Sequence, residues 1–150
     1  MHLALFGSHA RRLIPMPTRR FFGRYESLAK IGKFVHQAAR KAGLASTQIY
    51  AVQLAVDEAC TNIIEHGYGG DGLGEIECIC TTSPQGMTVQ LRDWSTGFNP
   101  DEISDPDYDV PLEQLKTRGA GLYLMRQMMD EVQFEFDSVG GNLLTMKKNK

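Results

Sequence analysis

Two pairs of predicted strands constrain this fold more than any other feature of the sequence. Each pair consists of two segments separated by a four-residue connection that contains glycine: Glu75–Thr82 and Met87–Asp93 around Ser83-Pro84-Gln85-Gly86, and Val132–Asp137 and Asn142–Lys147 around Ser138-Val139-Gly140-Gly141. Connections of this length and composition are typical of β-hairpins. Hairpin-linked strands run antiparallel, so the sequence predicts a mostly antiparallel sheet.

Apolar residues recur at helical spacing in three further segments. These are Tyr25–Ala42, a segment that Ser46 or Thr47 caps and that runs to His66, and Ala120–Glu131. Glycines follow the first two, at Gly43 and at Gly67, Gly69 and Gly70, and predict their ends. A short edge strand around Arg19–Gly23 precedes them. The order of elements predicts an α+β fold, a two-layer sandwich with helices covering one face of the sheet.

The length of 150 residues suits a single domain. Residues 1–18 show no clear periodicity and contain two prolines, so we expect a loose N-terminal segment followed by one domain over residues 19–150. Residues 94–117 form a long polar stretch between strand and helix. Long loops inside compact domains are uncommon and are often functional.

Composition excludes several classes of protein. Apolar residues make up 42% and charged residues 23% of the chain, which is an ordinary globular balance, and the net charge of −2 gives no reason to expect nucleic acid or an acidic membrane as partner. No apolar run approaches the roughly 20 residues that span a bilayer. Cys78 and Cys80 would share one strand face, which favours core packing over metal binding. We expect a cytoplasmic protein.

The predicted second helix carries the first group of candidate site residues. Glu58 and Asn62 are four residues apart and therefore lie on one helical face, which His66 continues. A carboxylate can accept a proton, and an amide oxygen can bind Mg²⁺. The alternative is a solvated polar face, with His66 favoured at the helix end by the helix dipole.

Two further groups lie at the ends of the long polar stretch. Asp93 ends a strand before Gly97 and could accept a hydrogen bond from a ligand's amino group, or could simply belong to a strand-ending turn. Gly119 and Gly121 precede or begin a helix beside Arg118, so backbone N–H groups could face an anion, or the glycines could only make the helix start flexible. Together the three groups fit Mg²⁺ and a nucleoside phosphate with an amino group, such as ATP.

These groups, in this order, resemble the N, G1 and G2 boxes of the GHKL ATPase superfamily. Val56–Asn62 with Glu65–Tyr68 resembles the N box, Asp93–Gly97 the G1 box, and Gly119–Leu122 with Met129–Val132 the G2 region. Over residues 28–147 the chain is similar to the anti-sigma-factor serine/threonine kinases of this superfamily. The resemblance implies a Bergerat-type, histidine kinase-like ATPase fold that binds ATP and Mg²⁺.

The resemblance also implies a role for each candidate residue. Glu58 would be the general base, Asn62 would hold Mg²⁺, Asp93 would accept the adenine amino group, Gly97 would line the base pocket, Gly119 and Gly121 would bind phosphates, Arg118 would lie near the terminal phosphate, and residues 99–117 would form the lid. One position departs from the pattern, because Ser95 stands where the G1 box usually has its first glycine. A serine fits there if its φ is negative.

The function implied is that of a kinase and regulator of transcription. Such a protein binds a sigma factor and phosphorylates a serine of an anti-anti-sigma factor, and it can form a homodimer. An alternative is an ATP-binding anti-sigma module without phosphotransfer. A third is an interaction domain that binds no nucleotide.

Overall fold

A computed structural model gives the structure of this chain and describes residues 17–96, 118–137 and 139–150. Along them the predicted order of helices and strands is confirmed. The elements are β1 Thr18–Phe22, α1 Ser27–Lys41, α2 Ser46–Asn62, β2 Glu75–Ser83, β3 Gly86–Asp93, α3 Arg118–Met128, β4 Glu131–Asp137 and β5 Gly141–Asn149. The predicted N-terminal segment, Gly97 and the predicted lid fall mostly or wholly outside the described residues and stay predictions.

The five strands form one antiparallel sheet in the order β1-β2-β3-β5-β4. Both predicted hairpins are present, and β1 is the predicted edge strand, paired only with β2. The α+β prediction is therefore confirmed. No helix in the described part of the chain has both the length and the apolar character to cross a membrane.

Alternation along the strands places the core on one face of the sheet. In β3, Met87, Val89 and Leu91 are buried, whereas the residues between them are only partly covered. The buried face packs against the apolar stripes of α1 and α2, which include Val35 and Val52. This is the one-sided helical layer that the sequence predicts.

The cysteines belong to this core, as predicted for Cys78 and Cys80. Both are fully buried on the helical side of β2, and Cys60 is buried on α2. Burial raises the pKa of the Cys60 thiol, since a thiolate loses its hydration there. The thiols therefore act as small apolar side chains.

The start of α2 differs from the sequence prediction. Ser46 and Thr47 were expected to cap the helix, but both lie inside it and the N-cap residue is Ala45. The backbone N–H of Ala45 donates to the Gln48 side chain at 2.8 Å. The cap prediction is wrong because a glutamine at the third helical position can satisfy this terminus from inside the helix.

The end of α2 also differs, because its α-helical path stops at Asn62. A π-helical turn, Ile63–Tyr68, follows and ends at Gly69, whose φ is +83°. Gly67 lies inside that turn, so Gly69 alone acts as the predicted glycine stop. π-turns are rare and occur frequently at functional sites.

The third helix lies earlier in the chain than predicted. It spans Arg118–Met128 instead of Ala120–Glu131, so Gly119 and Gly121 lie within its first turn rather than before it. After the helix, the backbone N–H of Asp130 donates to the Lys147 carbonyl at 2.8 Å. The prediction is wrong at its C-terminal end because the sheet already holds the chain at that point.

A substitution at the β2–β3 turn tests this fold. Gly86 has a φ of +152°, and a Cβ there would overlap the Lys148 carbonyl oxygen of β5. Gly86→Ala is expected to lower the free energy of unfolding by about 2–3 kcal/mol, because backbone atoms cannot give way. Denaturant titration measures this change.

Gly32→Ala in α1 is the matched control. A Cβ at Gly32 meets no atom within 4 Å. The same substitution should here stabilise the protein by about 0.5–1 kcal/mol, the helix preference for alanine. Equal effects at the two glycines would contradict the described packing of the turn.

Candidate functional site

The first turn of α3 lies directly against the polar face of α2. A Cβ added at Gly121 would come within 3.0 Å of the Asn62 amide nitrogen and 3.1 Å of Glu58 Oε2. These residues are about sixty positions apart in the sequence, yet their atoms nearly touch. Two of the three predicted groups therefore share one location.

Asn62 is a buried polar residue, with 6% of its surface exposed. Within the described residues, its amide nitrogen Nδ2 has no hydrogen-bond partner. A buried amide that lacks a partner costs about 1–3 kcal/mol. An amide in this state fits a group that supplies a partner when it binds, such as a phosphate with Mg²⁺.

Glu58 lies beside Asn62 in an environment that favours its neutral form. Partial burial raises the pKa of its carboxyl above the ordinary 4.5, and the negative charges of Asp57 and Glu65 add to the effect. A raised pKa makes the carboxylate a better proton acceptor near neutral pH. This is the property that a general base requires.

Asp93 ends β3, as predicted, and is 5% exposed. Its Oδ1 accepts hydrogen bonds from the Ser95 N–H at 2.9 Å, the Ser95 hydroxyl at 2.6 Å and Asn142 Nδ2 at 3.0 Å. None of the described residues other than glycine has a positive φ, so Ser95 meets the condition set for it. Its departure from the G1 pattern is compatible with the backbone.

Sequence reasoning missed Asn142. It lies on β5 directly opposite Asp93 in the pairing with β3. No motif marks it, and only the register between two strands about fifty residues apart brings it to Asp93. A polar residue just after the Gly140-Gly141 turn is the one signal that could have drawn attention to it.

Tyr68 belongs to the segment that resembles the N box, but the sequence assigned it no role. Its hydroxyl donates to the Glu75 carbonyl at 2.6 Å and accepts from the Trp94 N–H at 3.1 Å. In the same π-turn, a Cβ on Gly67 would lie 2.5 Å from the Ser95 hydroxyl. The π-turn is thus closely packed against the loop that follows Asp93.

A small cavity joins Asn62 to Asp93. Its volume is about 20 Å³ and it lies between α2, α3 and the β4–β5 hairpin, lined by Ala59, Asn62, Ile63, Asp93, Met125, Phe134, Glu135, Phe136, Asn142, Leu143 and Leu144. The space suffices for about one water molecule. A purine ring would require these walls to separate.

The remaining predicted residues are described in part. Arg118 and Gly119 lie in the first turn of α3, where N–H groups lack helical partners, but the structure describes only their backbone. Gly97 is outside the described residues. His66 lies in the π-turn, 3.9 Å from the Glu65 carboxylate.

Magnesium would need ligands beyond the described carboxylates, cysteines and histidines. Across the described ranges, no cluster of three or more of these residues could hold a metal ion. Mg²⁺ keeps several waters and binds phosphate oxygens, so the protein needs to supply only one or two oxygen ligands, and the amide oxygen of Asn62 can be one of them. The donor set thus fits a metal that arrives with a phosphate ligand.

Comparison with known proteins identifies relatives of this arrangement. The family of histidine kinase-like ATPase domains matches residues 21–148. A protein from Bacillus mycoides (strain KBAB4), named serine-protein kinase RsbW, is 31% identical over 103 residues, which cover 66% of this chain and 64% of that protein. The protein of the same name from Bacillus licheniformis is 34% identical over 109 residues, covering 67% and 65%.

These alignments span slightly less than two thirds of either relative. Among solved structures, the RsbU and RsbW domains of Rv1364c from Mycobacterium tuberculosis superpose with a TM-score of 0.59. The superposition covers 90% of this chain and 33% of that one at 16% identity. At this identity the likeness shows a common fold.

Glu58→Gln tests the electrostatics of the site through stability. The pKa of Glu58 is raised in the folded state, so its ionised form opposes folding, and stability is lost as pH rises through that pKa. The Gln variant should therefore be more stable than the parent at pH 7. The free energies of unfolding of the parent and the variant should converge below about pH 4.5, the ordinary pKa of a glutamate carboxyl. A difference independent of pH would contradict the described environment.

Proposed function

Because this chain belongs to the histidine kinase-like ATPase family, we propose that it is an ATP-dependent serine/threonine kinase and anti-sigma factor. In this proposal it binds a sigma factor and phosphorylates a serine of an anti-anti-sigma protein in the cytoplasm, as a monomer or homodimer. Residues 19–150 form the ATPase domain. The observation that carries the proposal is the contact of Gly121 with both Glu58 and Asn62.

The proposed nucleotide lies across the joint between α2 and α3. The triphosphate would approach the first turn of α3, where the Gly119 N–H lacks a helical partner and Gly121 has no side chain to block the approach. Asn62 would hold Mg²⁺, which offsets negative charge on the phosphates, and Arg118 would lie near the terminal phosphate. Support for the phosphate site comes from Asn62 Nδ2, which lies beside Gly121, has no partner among the described residues and could donate to a phosphate oxygen.

The base would bind at the other end of the cavity. Asp93 borders that cavity and would accept a hydrogen bond from the amino group of the base, and Gly97 would line the base pocket. Residues 99–117 would close over the bound nucleotide.

Glu58 would act on the protein substrate. Its carboxylate accepts the proton of a serine hydroxyl while the hydroxyl oxygen forms a bond to the γ-phosphorus, and ADP leaves. Phosphoryl transfer needs little covalent chemistry from the protein, so positioning and a nearby base account for most of the required machinery. The raised pKa of Glu58 supports this assignment.

Glu58→Gln is expected to bind ATP normally and to lose phosphotransfer by about 10²–10⁴-fold, the usual contribution of a general base. The transfer is measured with labelled ATP in an assay that uses the products of neighbouring genes as candidate substrates. Asp57→Asn is the matched control, because Asp57 is exposed on the same helix about 100° away. It should reduce transfer far less than Glu58→Gln, because it keeps the base and removes only one of the charges that add to the raised pKa of Glu58.

The outcomes separate the candidate functions. Transfer by the Gln variant at the parent rate would exclude Glu58 as the base. Binding of ATP and a sigma factor with no transfer by the parent protein would favour the anti-sigma module. Absence of nucleotide binding at millimolar ATP and Mg²⁺ would favour an interaction domain.

Gly121→Ala tests the nucleotide site by itself. The added Cβ presses on Asn62 and Glu58, so nucleotide binding should weaken, while alanine should stabilise the helix by up to about 1 kcal/mol. Thermal unfolding with and without Mg²⁺-ATP measures both effects. At a hundredfold excess over Kd the parent should gain about 2.7 kcal/mol.

The variant should lose most of that gain, which is measured relative to the same variant without nucleotide and so does not depend on how the substitution changes its own stability. Gly32→Ala, which adds a methyl group to α1 away from the site, is the control and should keep the full gain. An equal ATP-dependent gain in Gly121→Ala and the parent would argue against phosphate binding beside Gly121.

A further inference from the structure

All the hydrogen bonds that the described residues make to the Asp93 carboxylate are on one of its two oxygens. Within the described residues, Ser95 N–H, Ser95 Oγ and Asn142 Nδ2 all donate to Oδ1, at 2.9, 2.6 and 3.0 Å. None of the described residues donates to Oδ2. The two oxygens of one buried carboxylate therefore differ in what they can still accept.

Oδ1 has no acceptor capacity left. A carboxylate oxygen offers about two lone pairs, and three donors already share those of Oδ1. Its surroundings are also fixed, since Asn142 Nδ2 donates to the Ser95 carbonyl at 2.8 Å and strand pairing holds Asn142 opposite Asp93. Because no described residue donates to Oδ2, a ligand that reaches Asp93 finds Oδ2 as the available oxygen.

A carboxylate with only one free oxygen can discriminate adenine from guanine. Guanine carries two neighbouring N–H donors on one edge and is best recognised by a carboxylate with both oxygens free, as in other bidentate contacts. Adenine offers one amino group beside a ring nitrogen that accepts. When Oδ1 is saturated, one of the two guanine donors has no partner in a buried site. The single amino group of adenine still donates to Oδ2 and keeps its hydrogen bond.

We propose that Ser95 and Asn142 are specificity-determining residues that saturate Oδ1 of Asp93 and so make the site select 6-aminopurine nucleotides over guanine nucleotides. The inference rests on the proposed nucleotide binding and adds the source of its selectivity. It also assigns a role to the serine in the G1 pattern. The Ser95 hydroxyl makes the shortest of the three contacts to Oδ1.

A purely structural role for the two residues predicts something different. If Ser95 and Asn142 only hold the loop after β3 in place, their removal loosens the pocket for every nucleotide alike. If they saturate Oδ1, their removal frees an acceptor that guanine can use. The ratio of two dissociation constants separates these cases, whereas either constant alone does not.

The experiment measures Kd for Mg²⁺-ATP and Mg²⁺-GTP by calorimetry on the full chain. The parent should prefer ATP by at least about tenfold, the size of one hydrogen bond. In Ser95→Ala/Asn142→Ala, which leaves only the Ser95 N–H on Oδ1, that ratio should fall by about tenfold. The single Ser95→Ala variant should show a smaller fall, and it provides the measurement if the double variant does not fold. Ser95→Thr retains the hydroxyl and should retain the parent ratio.

Three results would overturn the inference. Equal weakening of ATP and GTP in the variants would leave Ser95 and Asn142 a structural role only. Equal affinity of the parent for both nucleotides would remove the selectivity while the proposed nucleotide binding stands. Binding of neither nucleotide by the parent would remove the proposed function and the inference together.

Discussion

The close approach of α3 to α2 at Gly121 is the constraint on which the rest of the site depends. The Asn62 amide nitrogen and Glu58 Oε2 would lie only 3.0 and 3.1 Å from a Cβ at this position, so any larger residue must displace the two polar groups. Glycine lowers helix stability by about 1 kcal/mol relative to alanine. Glycine is nevertheless suited to the first turn of α3, because only a residue without a side chain lets this turn lie against the polar face of α2.

The other end of the site depends on a different kind of contact. The π-turn Ile63–Tyr68 places the Tyr68 hydroxyl between the Glu75 carbonyl and the Trp94 N–H, and this joins the end of the helix to β2 and to the loop after β3. Asn142 then joins the loop after β3 to β5. The position of Asp93 is thus set by contacts from three separate elements, which makes it a rigid part of the molecule.

Much of this arrangement could be predicted because its signals are local. Helical periodicity placed Glu58 and Asn62 on one face, and the end of a strand placed Asp93 before a loop. The π-turn could not be predicted, because the contacts of Tyr68 that accompany it come from residues distant in the sequence. Asn142 could not be assigned for the same reason, since its approach to Asp93 follows from strand register, which no single segment encodes.

The two buried polar side chains that line the cavity, Asp93 and Asn62, differ in how fully their hydrogen-bonding groups are satisfied. Asp93 accepts three hydrogen bonds from the described residues, whereas the amide nitrogen of Asn62 receives no partner from them. A satisfied group is held in one orientation before a ligand arrives, so it can select a ligand at little entropic cost. An unsatisfied group gains its missing hydrogen bond only on binding, so it adds affinity. The cavity therefore combines a fixed end suited to recognition with an end whose stabilisation requires an added polar ligand.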